Sequence, residues 1–293
     1  RTRAISETQS FENNHPEVIG RYVELIGSDD FGVVYDLSGI LFDLAPEHRK
    51  LIGERHLKFY VDNIDGFRER RSQGERNATI GNYYASAMDL LFAAIESGVK
   101  SDQITDALFE YLNDPQADVS DRAQASYLLA VHTGEAAQVV PVLVDLLRND
   151  TPLLDKACSI AGHRFSNDFG PPTQHYLTFR AAIFDILGHI GSAAKIAVPE
   201  INSFLNPNPT LKNRIIKVTL SDHEALATGI QALSRIGLTA EAIAAIERFH
   251  NWPVTRSQFP DLAPLAAEIL RSIPKEELER LRGEDPDKSP LGQ

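Results

Sequence analysis

The stretch FRAAIFDILGHIGSAAKIAVPEINSFL, residues 179–205, constrains the fold more than any other part of the chain. Phe179, Ile183, Ile186 and Ile190 step by 4, 3 and 4, which puts them on one stripe of a helix with about 3.6 residues per turn. Gly191 then offers the permissive backbone that ends such a helix. Beyond it Val198, Ile201 and Leu205 step by 3 and 4, a second stripe. Pro199 would break a helix interior, but in a first turn its missing N–H takes nothing away, because those donors have no intrahelical acceptor. The segment therefore reads as a helical hairpin whose second arm starts near Pro199.

The same arrangement recurs. In DRAQASYLLAVHTGEAAQVVPVLVDLLRND, Gly134 is the break, Val140-Pro141 lies early in the second arm, and Val139, Leu143, Leu146 and Leu147 form its stripe. In HEALATGIQALSRIGLTAEAIAAIERFHN, Leu226, Ile230, Leu233 and Ile236 precede Gly237, and Ile243, Ile246 and Phe249 follow it without a proline. A looser copy, YASAMDLLFAAIESGVKSDQITDALFEYLND, breaks at Gly98, and a short last pair is expected over 260–283. The break glycines lie 36, 57 and 46 residues apart, so the unit is a helix pair with variable insertions. Strand-like alternation is scarce, and the expected class is all-α.

One hairpin has too little apolar surface to offset its ordering entropy, so such pairs must bury a face against their neighbours. The expected architecture is an α-solenoid of about five helix pairs. Residues 1–14 read as a flexible N-terminal segment, 15–284 as a single array with capping helices over 15–65 and repeats over 82–284, and 285–293 as a flexible tail.

An Ala-rich helix, then "IG", then "AVP" and a leucine-rich helix, as in AAIFDILGHIGSAAKIAVPEINSFL and less closely in AVHTGEAAQVVPVLVDLL, resembles the HEAT repeat, in its short bacterial, armadillo-like form. The closer matches cover about 118–148 and 176–205, the looser ones 82–113 and 222–250. The resemblance implies a scaffold or a protein- or peptide-binding surface. It also admits two rivals, a cofactor-attachment enzyme or chaperone similar to HEAT-like bilin lyases, and a nucleic-acid binder similar to alkylpurine DNA glycosylases. The matching residues are packing residues, so none carries a catalytic role over.

Charge and composition narrow the choice. With 41 acidic against 29 basic side chains the formal charge is −12, which opposes binding to a phosphate backbone. The single cysteine, Cys158, cannot form an intrachain disulfide, and a reducing, cytoplasmic location is expected. No uninterrupted apolar run of the roughly 20 residues that span a bilayer is read in the sequence. Gly-rich phosphate loops after a strand, G-x-S-x-G elbows and H-E-x-x-H pairs are lacking, so a non-catalytic reading with no cofactor and no metal is preferred.

Three insertions carry the candidate contacts: 66–82, 150–175 and 206–221. Together they hold nine basic and five acidic residues in an otherwise acidic chain, which suggests that another protein or an acidic peptide binds through one groove of the solenoid and this basic, long-loop edge. Arg68, Arg70, Arg71, Arg164, Lys212 and Arg214 are the expected charged contacts, with His163 and Asp168 beside them. Reversing Arg70 and Arg71 to Glu is expected to weaken such a partner and leave folding intact. Cys158, His163, Asp168 and His175 are metal-ligand types, but separations of 5, 5 and 7 lack the tight pairing of zinc motifs. Cys158, in the apolar run LLDKACSIAG, reads as a buried small hydrophobe. His48 and His56, eight apart on one helix, read as part of a solvated face, His132 and His189 as favourable charges at helix ends. Trp252 is a candidate aromatic anchor that packing explains equally well.

Overall fold

The structure, a computed structural model of the 293-residue chain, describes residues 46–73, 78–80, 83–85, 87–149, 151–158, 177–205, 220–251 and 260–283, with Glu17, Gly20 and Arg21 as isolated positions. The expected flexible termini, the capping helices before residue 46, His175 and Trp252 lie outside the described residues. What is described is mostly helical. It divides into two compact units, one ending at Thr133 and the other beginning at Gly134.

In the first unit, α1 (Pro46–Asp62) is followed by α2 (Ile64–Ser72), the strand pair β1 (Ala78–Ile80) and β2 (Tyr83–Ala85), α3 (Ala87–Glu96), α4 (Asp102–Asn113) and α5 (Val119–Tyr127). The last of these widens into a π-helical turn over Leu128–Thr133. α1 packs on α3, and α4 on α5. The contact of α1 with α3 is close because position 53 has no side chain: a Cβ on Gly53 would stand 2.4 Å from Cβ of Ser97. Side-chain oxygens start the next two helices, with Ser101 accepting from the Gln103 N–H at 3.2 Å and Asp118 from the Ser120 N–H at 2.8 Å.

In the second unit, α6 (Ala136–Asn149) and the single turn α7 (Thr151–Leu154) lead to β3 (Ala157–Cys158). After it come β4 (Leu177–Thr178), α8 (Phe179–Ile190), a 3-10 turn over Gly191–Ala197 and α9 (Val198–Leu205). α10 (Leu220–Ile236), α11 (Ala240–Asn251), α12 (Leu262–Ser272) and α13 (Lys275–Arg282) complete it. First arms pack on first arms, α8 on α10 and α10 on α12. Second arms pack on second arms, α6 on α9, α9 on α11 and α11 on α13. The expected stripes supply the buried residues: Val198, Ile201 and Leu205 of α9, and Ile243, Ile246 and Phe249 of α11, are all buried.

Each expected break glycine carries the backbone that requires it. Gly98, Gly134, Gly191 and Gly237 have φ of 79°, 83°, 69° and 117°, a region L side chains rarely enter. Gly191 caps α8 by donating its N–H to the Leu187 carbonyl.

Four details depart from the sequence reading. Residues 66–72, expected as the start of the first insertion, are helical, because Ile64, Phe67 and Arg71 step by 3 and 4 and turn one face inward. Tyr83–Ala85, expected inside a helix, instead pairs antiparallel with Ala78–Ile80, and Gly-Asn, a pair that short hairpin connections favour, separates the two strands. α8 is buried from Ala181 through Gly188 and not along one stripe alone, because α10, α6 and β4 meet it on several sides. His56, expected on a solvated face, is fully buried where α1 meets α3, and its Nδ1 lies 2.9 Å from the Ile52 carbonyl oxygen.

By length and composition Phe179–Leu205 taken as one run could cross a bilayer, yet 61% of its most apolar window is buried inside the protein. The positive φ of Gly191 and the 3-10 turn also divide it.

Candidate binding site

The arginines expected to meet a partner are partly engaged within the first unit. Arg68 makes a bidentate pair with Glu110 on α4, Nε to Oε1 at 3.0 Å and Nη2 to Oε2 at 2.7 Å. Arg71 pairs with the same carboxylate, reaches Asp114 through Nε at 2.7 Å, and lies 4.4 Å over the Tyr111 ring. Its side chain is only 11% exposed. Two guanidinium groups hydrogen-bonded to Glu110, Arg68 foremost, hold that carboxyl below its ordinary range. Glu110 in turn raises Arg68, and at Arg71 the same carboxylate and its acidic and aromatic neighbours outweigh the opposing effect of burial.

Tyr60, stacked on Phe67 with ring centres 5.7 Å apart, is pushed up to about 12 by burial, with Glu110 adding to the shift. Burial likewise raises the Tyr111 hydroxyl. Arg70, between the two engaged arginines, is half-buried. The arrangement fastens α2 to α4, and the guanidiniums of Arg68 and Arg71 are engaged by it.

His163, Arg164, Asp168, Lys212 and Arg214, the remaining members of the expected edge, lie outside the described residues. Cys158 is buried in the β3–β4 pair, opposite Leu177. His189 sets Nδ1 2.9 Å from the Asp185 carbonyl oxygen and 3.4 Å from its carboxylate, which also faces Arg235 at 3.5 Å. His132 sits 3.4 Å from Glu96, on a neighbouring helix. Both histidines therefore have local electrostatic partners near their helix ends. Among the described residues no three His, Cys, Asp or Glu side chains gather as a metal site would need.

An open pocket of about 330 Å³ lies in the second unit, between the second arms α9 and α11. Pro199 and Asn202 line it from α9, and Glu241, Ala244 and Arg248 from α11. The spacing is helical on both sides: 199 and 202 differ by 3, while 241, 244 and 248 step by 3 and 4. On α11 that set faces away from the buried stripe Ile243, Ile246 and Phe249, whereas on α9 it flanks the stripe Val198, Ile201 and Leu205 about 100° round the helix. Glu241 and Arg248 are exposed, and neither holds a hydrogen bond or ion pair to a described residue. Their surroundings differ. Arg148 of α6 pairs with Glu200 of α9 at 2.7 Å, and Arg282 of α13 donates Nε to Glu247 of α11 at 3.0 Å. Asn202 Oδ1 is buried without a hydrogen-bond donor among the described residues.

Sequence reasoning passed over these five residues. The signal was present as Glu241 and Arg248, seven apart on one face of an apolar helix, but only folding tells whether neighbouring charges neutralise them. A carboxylate, a guanidinium and an amide together offer two opposite charges and hydrogen-bonding groups to a bound segment.

None of the family models, curated proteins or solved structures compared with the chain matches it.

Proposed function

We propose that the chain is a non-catalytic scaffold, a HEAT-like α-solenoid that binds another protein through the face of its second arms. The observation that carries the reading is the pocket on that face, whose Glu241 and Arg248 hold no ion pair to a described residue, although α9 and α11 are each tied by one to their other neighbours, α6 and α13. Stacked second arms present side chains at regular intervals along one surface, which suits an extended partner. The acidic-peptide reading of Arg68 and Arg71 has less to support it, because Glu110 and Asp114 already answer those charges. A cytoplasmic site of action is proposed with it, supported by the single cysteine and its burial.

The test places a photo-crosslinking residue, p-benzoylphenylalanine, at Ala244 and, separately, at the exposed Leu51 of the first unit. In extract of the source cells the reading expects one reproducible protein adduct from position 244, competed away by excess unmodified chain and missing from position 51. Adducts from both positions, or from neither, would contradict it.

A further inference from the structure

Resting on that scaffold reading, we infer that the pocket between α9 and α11 is a two-charge site for a polyproline-type segment carrying one basic and one acidic side chain three residues apart. Glu241 and Arg248 lie seven positions apart on α11. A helix rises about 1.5 Å and turns about 100° per residue, so seven residues return to nearly the same face about 10 Å further on. The backbone positions that carry a negative and a positive side chain are thus about 10 Å apart along α11, with the small Ala244 between them.

A ligand must offer the opposite pair on one face at that separation. In a β-strand, residues two apart share a face but lie about 7 Å apart, residues four apart about 13 Å, and residues three apart point to opposite faces. In a polyproline II helix, residues three apart share a face and are separated by about 9 Å. That conformation also leaves its backbone groups without internal hydrogen bonds. Asn202, across the pocket, carries an amide oxygen that lacks a donor among the described residues, and Pro199 adds an apolar ring to the wall. Proline rings of such a ligand can pack on Pro199, the N–H of its flanking non-proline residues can donate to Asn202, and the stiffness of such segments lowers the ordering entropy of binding.

The experiment titrates fluorescent proline-framed peptides against the full chain by anisotropy at low and moderate salt. Lys-Pro-Pro-Glu is the test peptide, Lys-Pro-Glu alters the spacing, Gln-Pro-Pro-Gln removes the charges, and Glu-Pro-Pro-Glu makes them alike. Lys-Pro-Pro-Glu should bind at least fivefold tighter than each of the others, with an advantage that shrinks as salt rises. Glu241→Arg should reverse the order, favouring Glu-Pro-Pro-Glu at least fivefold over Lys-Pro-Pro-Glu. Both residues are exposed, and an unchanged melting temperature shows that the variant is folded.

Equal binding of all four peptides, or an order that Glu241→Arg leaves unchanged, would overturn the inference. Failure of every peptide to bind would overturn it too. In each case a specific adduct at position 244 would leave the scaffold reading standing, and loss of that adduct would remove the reading itself.

Discussion

Glu110 carries more of the first unit's electrostatics than its half-exposed position suggests. Because Arg68 and Arg71 hold its carboxyl below the ordinary value of 4.5, the stabilisation is fully present above that value and is lost as pH falls through the depressed one. Thermal melts from pH 6 to pH 3 should therefore fall more steeply for the wild type than for Glu110→Gln. At neutral pH that variant should melt lower by a margin worth about 1–2 kcal/mol. Arg71→Glu tests the same cluster from the other side. Its side chain is 11% exposed between Glu110 and Asp114, so reversal sets three carboxylates together and should destabilise by about 2–4 kcal/mol in chemical denaturation. Folding left intact, as the sequence alone led one to expect for a surface loop, would contradict the cluster's structural role. This pairing was illegible in the sequence because 42 positions separate Arg68 from Glu110, and a charge's partner is decided by tertiary contact. Gly53 offers a contrast at the same scale. Alanine there would force Cβ against Ser97 and Val99, so Gly53→Ala should cost about 1–3 kcal/mol by crowding.

At the scale of the helical hairpin, sequence and structure agree closely. The break glycines, the apolar stripes of α9 and α11 and the start of α9 beside Pro199 were all legible, because a period of about 3.6 and a left-handed turn are local properties of the chain. Gly191→Ala probes the turn without a clash. The nearest atom to an added Cβ is the Arg235 carbonyl oxygen at 3.6 Å, so the cost should come from the backbone at φ 69°, about 1–3 kcal/mol. Gly191→Asn, which tolerates positive φ better, should recover part of it. Equal melting of wild type and Gly191→Ala would contradict the strained turn. The strand pair over 78–85 and the all-round burial of α8 were less legible. A short hairpin leaves a faint trace in composition, and how many neighbours a helix acquires is a property of the assembled unit.

For the molecule as a whole, the acidic balance of −12 opposes binding to a phosphate backbone, and another protein is the partner that the proposed scaffold reading takes. The proposed site lies on the second arms, on residues other than those named from the insertions. The sequence marked the insertions because they are long and charged, whereas the pocket is built from residues that look like an ordinary polar helix face until α9 is laid beside α11. Amide hydrogen exchange, with and without the protein captured at Ala244, tests this placement most directly. The account predicts slowed exchange on binding in residues 198–205 and 240–251, with 64–72 and 102–113 unchanged. Slowing confined to 64–72 and 102–113, with α9 and α11 unaffected, would contradict it.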